Sequence, residues 1–475
     1  MHNTRNPERG FIDPDALRAA LAGARRGPKA VREVLARAET LKGLSLGDAA
    51  TLLTVEDPVL ELELLEAAGR VKREIYGRRM VLFAPLYLGN RCSNDCLYCA
   101  FRRANTDIVR RTLSLDEIEL ETRALLREGH KRLLVLSGED HSEPVERLTA
   151  ALERIYAVRE PSPISGKPAS IRRINVEVAP LSVDGFRTLK AARIGTYACF
   201  QESYDPDVYA AFHKRGPKAD YLNRLTVMDR AMEAGIDDVG IGALFGLGDF
   251  RFEVLALLAH AAHLEERFGC GCHTVSVPRI EPAVGAPAAM AVPNPVSDDQ
   301  FRLLVAVLRL ALPYTGIILS TRENEALRDE LFRYGISQIS AGSRTDPGAY
   351  AAEGAQAASS GAQFQLGDHR SLAEVTRALT DSGYVPSFCT GCYRKGRTGA
   401  DFMDLAKPGL IKRFCEPNAL FTYAEYLADF ASPEEASRAR SAASLIMDSL
   451  PDAALRAKVA EGLASIEGGE RDLYF

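Results

Sequence analysis

From Met80 onward, short apolar runs alternate with stretches whose apolar positions recur every three to four residues, the signature of strands buried on both faces followed by amphipathic helices. The strand candidates are Val81 to Leu88, Arg132 to Leu136, Ile174 to Val178, Thr196 to Phe200, Asp238 to Leu244, Thr274 to Val277, Gly316 to Leu319 and Gln338 to Ser340. Helical periodicity follows each, over 115–128, 143–158, 183–192, 220–234, 252–267, 298–311, 323–333 and 371–382. The first of these opens on Ser114-Leu-Asp-Glu117, a capping-box pattern in which serine and glutamate satisfy the free amides of the first turn. Eight such units in roughly 300 residues predict an α/β fold of the closed (β/α)8 TIM-barrel type rather than an open sheet.

The flanks differ in character. Residues 1–79 are rich in Ala, Arg and Leu, with helical spacing at Val31, Val34, Leu35, Ala38 and Leu41, and read as a helical extension packed on something larger. Residues 80–385 are the expected barrel, with Ala349 to Gly367, rich in Ala, Gly, Ser and Gln, as a mobile loop after the eighth strand. Residues 386–475 form a third unit, cysteine-bearing at first and then an amphipathic helical tail.

Length and charge narrow the function classes. A chain of 475 residues buries a full core without disulfides. A formal net charge of −5, with no basic cluster, gives no electrostatic case for nucleic acid or an anionic membrane. The start MHNTRNPERG lacks a signal peptide's apolar stretch, and no run of about 18 apolar residues is present, so a cytoplasmic location is expected. Of nine cysteines six fall in two tight sets, which points to reduced, metal-binding thiols rather than a disulfide framework.

The first set is Cys92-Ser-Asn-Asp-Cys96-Leu-Tyr-Cys99. Three thiolates on one loop after a strand can hold three irons of a 4Fe-4S cube and leave the fourth open, whereas a closed structural zinc site wants four ligands, and no Cys or His follows until His130. The spacing, with aromatic Tyr98 before the last cysteine, resembles the radical S-adenosylmethionine (SAM) superfamily. There the open iron binds the amino and carboxylate groups of SAM, and an electron from the cluster cleaves it to a 5'-deoxyadenosyl radical.

Catalytic residues in a (β/α)8 barrel gather at the C-terminal ends of the strands. Cys92, Cys96 and Cys99 follow the first strand, Ser137-Gly-Glu139-Asp140 the second and Gln201-Glu202 the fourth; Arg279, Arg322, and Ser340 with Ser343 end the sixth, seventh and eighth. Any single Glu or Arg is most often an ordinary solvated residue; their convergence carries the argument. Glu139 suits the SAM ammonium, Arg224 or Arg230 its carboxylate, and Glu202 the ribose or amine. Arg322 with the Ser340 hydroxyl suits a substrate α-carboxylate.

The second set, Cys389, Cys392 and Cys415, is spaced C-x2-C-x22-C, again three ligands without a nearby fourth. It reads as a second iron-sulfur cluster with an open iron, or as a zinc ribbon completed by a distant residue. His273, at the start of the sixth strand, sits near the opposite mouth, where a lone histidine is ordinarily a packing residue. Cys199, Cys270 and Cys272 are most simply buried apolar residues.

The stretches CSNDCLYCAF, SGED, FQES, FHKRGPKADY, IGALFGL, HTVSVPRI, LSTRE and ISAGSRTDPGAY resemble the radical SAM tyrosine lyases over roughly residues 75–430. Within that family the C-x2-C-x22-C set, with FCTGCYRKGRTGADFMDLAKPG and PNAL around it, is similar to the branch that matures iron-iron hydrogenases. The resemblance implies hydrogen abstraction from the amino group of L-tyrosine, cleavage of its Cα–Cβ bond to p-cresol and dehydroglycine, and conversion of the latter to carbon monoxide and cyanide. It further implies two 4Fe-4S clusters, the C-terminal one with a fifth, dangling iron attached through a cysteine, SAM, a flavodoxin- or ferredoxin-type reductant and other hydrogenase maturation proteins as partners. Through the matching HTVSVPR motif it implies His273 as a ligand of the dangling iron, with Cys272, where relatives are expected to carry proline, as a possible extra ligand. Two alternatives remain at this point: a tyrosine lyase that stops at dehydroglycine with structural zinc at the second set, and a non-catalytic iron-sulfur scaffold. The fold adds an expectation of its own, that product crosses the barrel between two sites, so inward-facing residues should be small or polar where barrels are normally filled with branched side chains.

Overall fold

The computed structural model describes residues 10–352 and 361–475, so the middle of the loop expected at Ala349 to Gly367 lies outside the described residues. Eight parallel strands close into a barrel: β1 (Arg79–Tyr87), β2 (Arg132–Leu136), β3 (Arg173–Glu177), β4 (Tyr197–Ala198), β5 (Val239–Gly242), β6 (Thr274–Ser276), β7 (Gly316–Leu319) and β8 (Gln338–Ser340), with β8 returning to pair with β1 through Val81↔Gln338. All nine residues of β1 are buried, as a parallel strand covered on both faces requires.

A ninth strand, β9 (Val385–Ser387), which sequence periodicity does not reveal, pairs parallel with the first residues of β1, Arg79↔Val385 to Val81↔Ser387. Three residues with a proline in the middle carry no detectable period. The strand hands the chain directly to Phe388 and Cys389 at the mouth formed by the strand starts.

Helices form where expected, with the Ser114 capping box in place on Leu115–Glu128 and further boxes at Ser297 and Ser371. The run 220–234 is instead two short helices, Tyr221–Leu225 and Val227–Glu233, broken at Thr226. The four N-terminal helices between Pro14 and Tyr76 pack on the outer helices Phe250–Phe268 and Asp298–Ala311. Lys412–Phe430 lies against β9 and the last helix, Ala453–Glu467. No helix among the described residues is long and apolar enough to cross a membrane.

One buried carboxyl supports the mouth above. Glu253, in the first turn of Phe250–Phe268 and 1% exposed, accepts hydrogen bonds from the Ser203 hydroxyl and from the Tyr204 amide at 2.8 Å. That fixes the chain just after Glu202, whose φ of 69° is a conformation non-glycine residues rarely adopt. Burial pushes the Glu253 carboxyl up to about 8. Its folded value lies above the unfolded one of about 4.3, so the folded state holds an extra proton between those values and stability falls as pH rises through that window. Glu253→Gln, isosteric with the protonated acid, is expected to match wild type below pH about 4.5 and to exceed it by a few kcal/mol above pH about 8, at roughly 1.4 kcal/mol per unit. Thermal melts of the purified chain across pH 4 to 9 check this; a constant gap would refute it.

Candidate active site

At the C-terminal mouth the irregular chain from 88 to 111 is held by its own polar groups. The Arg110 guanidinium donates to the carbonyls of Asn90, Phe101, Arg102 and Asn105, and buried Asn90 bonds the Val109 carbonyl and the Arg111 amide, both at 2.7 Å. These bonds take the place of a ladder and shape the loop that presents Cys92, Cys96 and Cys99. Cys92 accepts the amides of Asn94 and Glu139, and Cys99 those of Phe101 and the Gln363 side chain.

Glu139 is held between Arg224, at 2.8 Å, and the Asn94 amide, also at 2.8 Å. Burial alone would raise its pKa, but Arg224 and Lys218 hold it down to about 2. Lys218 bonds Glu202 at 2.7 Å, so two carboxylates and two cations share one buried network. Gly216 is required here: with φ of +89°, an added Cβ would come within 2.5 Å of the Asn94 side chain and the Ser93 carbonyl. Arg224 therefore stands beside Glu139 with its Nε on the Phe200 carbonyl. Arg230 does not reach this network, since its guanidinium is spent on the Leu181 and Asn223 carbonyls and the side chains of Thr226 and Asn223.

Alongside lies a cavity of about 970 Å³, hereafter the upper cavity, whose walls include Tyr98, Cys99, Glu202, Arg322 and Ser340. Tyr98 is fixed by a 2.8 Å hydrogen bond to His213 Nε2. The Arg322 guanidinium lies 3.4 Å from the centroid of the Phe364 ring. Ser340 Oγ accepts the Thr321 amide at 3.1 Å, which leaves its own proton free to donate into the cavity. Glu177, on the same wall, is raised to about 7 by burial and by the neighbouring Glu202.

At the opposite mouth a second cavity of about 580 Å³, the lower cavity, is lined by Cys389, Cys392, Cys415 and His273 together, with Arg79, Arg132, Asp238, Tyr393 and Arg397. Cys389 Sγ accepts the Gly391 amide at 3.3 Å. The hydrogen bond with Cys392, backed by the charges of Arg79 and Arg397, holds the Cys415 thiol below its usual range. The His273 ring meets Phe402 edge-on at 4.7 Å and lies 4.0 Å from Asp238. Cys270 and Cys272 do not line this cavity; both are buried in the apolar core, Cys272 at 0% exposure, and Cys199 is in the core as well. Among the described residues no three or more His, Cys, Asp or Glu groups gather as the shell of a single metal ion.

The two cavities lie at successive levels inside the barrel and share no lining residue. On β1, β2, β7 and β8 successive inward positions go one to each: Val81 and Phe83, Arg132 and Leu134, Gly316 and Ile318, Gln338 and Ser340. Two residues of strand span about 6.6 Å, so on those strands the two cavities are one side-chain level apart. Around them sit small or polar groups; a Cβ on Gly240 would meet Thr274, Ala198 and Thr196, and one on Gly316 would meet Gln338 and Thr274.

Glu177, Lys218, Tyr87 and Gln363 at the upper mouth, and Arg79, Arg132, Asp238, Tyr393 and Arg397 at the lower, were not anticipated. Glu177 carried a signal, an acid at the C-terminal end of a strand. Tyr87, the last residue of β1, carried the same strand-end signal; Arg79 and Arg132 did not, because an arginine that starts a strand reads as an ordinary boundary residue, and the remaining residues reach their mouths only through the fold.

Profiles of two families match: "Radical SAM superfamily" over residues 86–261 and "Biotin and Thiamin Synthesis associated domain" over 276–385. A 2-iminoacetate synthase of Salmonella typhimurium is 32% identical over 322 residues, 68% of this chain and 80% of the relative, and one of Escherichia coli is 32% identical over 327 residues, 68% and 81%. The crystal structure of HydG, a maturase of the [FeFe]-hydrogenase, superposes with a TM-score of 0.92 at 44% identity, covering 98% of this chain and 100% of that one. The HydG of Carboxydothermus hydrogenoformans gives 0.81 at 41% identity, covering 97% and 100%.

Proposed function

This chain belongs to the radical SAM tyrosine-lyase family of the HydG maturases and 2-iminoacetate synthases, and from that premise we propose that it cleaves L-tyrosine to p-cresol and dehydroglycine and converts the dehydroglycine to carbon monoxide and cyanide for an iron-iron hydrogenase active site. The observation that carries this is the pair of three-cysteine sets, one at each mouth of a single barrel, each lining or flanking its own cavity. In this reading residues 80–385 carry the tyrosine chemistry and 386–475 the second cluster.

The residues suit the groups the family requires. Burial pushes the Cys92 and Cys99 thiols up, and the amides directed at their sulfurs oppose that shift, toward the thiolate that iron ligation needs. In the lower cavity Arg79 Nε, Arg132 Nε and Arg397 Nε, together with both Asp238 carboxylate oxygens, are buried and without hydrogen-bond partners among the described residues. Buried polar groups are ordinarily paired, so the three orphan arginine N–H groups fit an anionic guest such as a thiolate-ligated cluster with the carboxylate of an attached cysteine, while the Asp238 oxygens can accept only from a donor such as that cysteine's amino group. Cys92, Cys96 and Cys99 would hold the first 4Fe-4S cluster; Cys389, Cys392 and Cys415 the second, with His273 on the extra iron. Bound, the first cluster and SAM together supply the electron and the hydrogen-abstracting radical.

The protein's own groups do the rest. Glu139 and Glu202 meet the cationic amine and the ribose of SAM, with Arg224 as counter-charge and Tyr98 against the loop. Arg322 and the Ser340 hydroxyl take the tyrosine carboxylate, and Glu177, poised near neutrality, accepts a hydrogen bond from its amine. Removing the fork with Arg322→Ala is expected to raise KM for L-tyrosine about thirtyfold, roughly 2 kcal/mol, while SAM affinity stays put. Titrating both ligands separately checks this, and an unchanged tyrosine KM would remove Arg322 from the site.

The whole reading is tested by anaerobic turnover of the reconstituted chain with L-tyrosine, SAM and dithionite. It expects p-cresol, 5'-deoxyadenosine and trapped carbon monoxide, with about eight to nine irons per chain. p-Cresol without carbon monoxide would reduce the activity to that of a 2-iminoacetate synthase, and no p-cresol at all would reject it.

A further inference from the structure

Gln363 touches the first cysteine loop and, through its neighbour, the substrate fork. Its side-chain Nε2 donates to Cys99 Sγ at 3.6 Å, and its Oε1 accepts the Tyr87 hydroxyl at 2.7 Å. Because Tyr87 can donate there, the amide oxygen faces the tyrosine and the N–H₂ faces sulfur. The main chain is tied on both sides, the Gln363 carbonyl accepting the Ala100 amide at 3.3 Å and its own amide donating to the Thr345 carbonyl at 3.0 Å. The next residue, Phe364, carries the Arg322 guanidinium on its ring. Gln363, Phe364, Cys99 and Arg322 all line the upper cavity.

We infer that Gln363 is a tuning residue: its amide raises the reduction potential of the cluster held by Cys92, Cys96 and Cys99, and the Phe364–Arg322 stack makes that donation respond to a carboxylate bound at Arg322. The inference rests on the proposed function. Reduction adds one electron, taken from an external low-potential donor, to a centre whose sulfurs carry much of the charge; no protein bond forms or breaks. A donor aimed at a ligating sulfur stabilises the reduced form more than the oxidised one. Anchored to the strip that also carries Arg322's platform, the donor shifts when that guanidinium is drawn toward a substrate carboxylate, so cluster reduction is coupled to the presence of tyrosine.

The test is an EPR-monitored redox titration of the full chain carrying Cys389→Ser and Cys392→Ser, so that the first cluster is read alone. Gln363→Leu removes donor and acceptor; Gln363→Glu keeps the shape and the acceptor for Tyr87 but replaces the donor with an anion. The potentials are expected to fall in the order Gln, Leu, Glu, the Leu variant showing an about tenfold smaller ratio of reduced to oxidised cluster at a fixed potential, 59 mV for a one-electron couple. Tyr87→Phe, which frees the amide to rotate while leaving the main-chain ties, is expected to fall between Gln and Leu, and serves if a Gln363 variant does not assemble. L-Tyrosine is expected to shift the potential of the parent and not that of Gln363→Leu. Equal potentials in parent, Leu, Glu and Phe variants, each with four irons, would overturn the tuning role, and equal tyrosine shifts would overturn the coupling. A parent chain that assembles no cluster on Cys92, Cys96 and Cys99 would instead defeat the proposed function on which the inference stands.

Discussion

Replacing Cys389 and Cys392 together with serine is expected to bring carbon monoxide release to background while p-cresol continues within about threefold of wild type. Serine keeps the size of each side chain and removes the soft thiolate that iron requires, so the lower cavity loses its cluster without a large void. The tyrosine-side groups, Arg322, Ser340 and Glu177, line only the upper cavity and share no hydrogen bond with these cysteines. Distant sites without shared partners act independently, which is why cleavage should persist. Both products are measured on the same anaerobic reactions, p-cresol by chromatography and carbon monoxide by trapping on a haem protein. Loss of both, with the first cluster still present by iron content and EPR, would mean that the second cysteine set serves tyrosine cleavage itself.

Filling the barrel interior between the two cavities should have an effect almost as large by a different route. Gly316 starts β7 on the lower wall, and the group nearest to an added Cβ is Gln338 Nε2 at 2.5 Å, the far end of a flexible side chain, followed by the His273 carbonyl at 3.4 Å. Gly316→Leu can therefore be accommodated by moving Gln338, at the roughly 1–3 kcal/mol typical of overpacking. The leucine would restore at that position the branched side chain that fills most barrels. Carbon monoxide release is expected to fall about a hundredfold, with p-cresol formation within about threefold and dehydroglycine hydrolysis products accumulating in solution; these products are quantified by mass spectrometry against the iron content of both sites. Carbon monoxide at the wild-type rate in a folded Gly316→Leu protein would show that dehydroglycine reaches the lower cavity by another way. The serine pair and this leucine separate chemistry from passage, since only the former removes ligands.

Local pattern carried far in this chain because barrel strands and their helices are short-range objects. Alternation of apolar runs located every barrel strand, although Thr196 to Phe200 contracts to Tyr197–Ala198 and Asp238 to Leu244 to Val239–Gly242 where the ladder ends. Cysteine spacing within one loop marks candidate ligands directly, since three thiols within eight residues share a neighbourhood whatever the fold does. The rule that function sits at strand ends brought Arg322, Ser340 and Glu202 to one cavity, which Tyr98 of the first cysteine loop also lines; the family resemblance paired His273 with the second cysteine set, and both line the lower cavity.

Other assignments turned on contacts that local pattern does not show. Arg224 and Arg230 lie on consecutive short helices and are alike in sequence, yet on either side of the break at Thr226 one reaches Glu139 and the other the carbonyls of Leu181 and Asn223. Cys272 and His273 are adjacent, and a one-residue change of direction puts the thiol in the core and the imidazole in the cavity. What the amino-acid order determined by itself was periodicity and spacing: a (β/α)8 barrel, two incomplete cysteine triads and the strand ends where chemistry gathers. Only the tertiary structure decided that β9 lies along Arg79–Val81 and brings Cys389 to the far mouth, that Arg79, Arg132 and Arg397 line the cavity with it, that Gln363 reaches Cys99, and that on four strands the two cavities are one side-chain level apart. Those facts depend on strand register and chain closure, which join segments whose sequences carry no mark of one another.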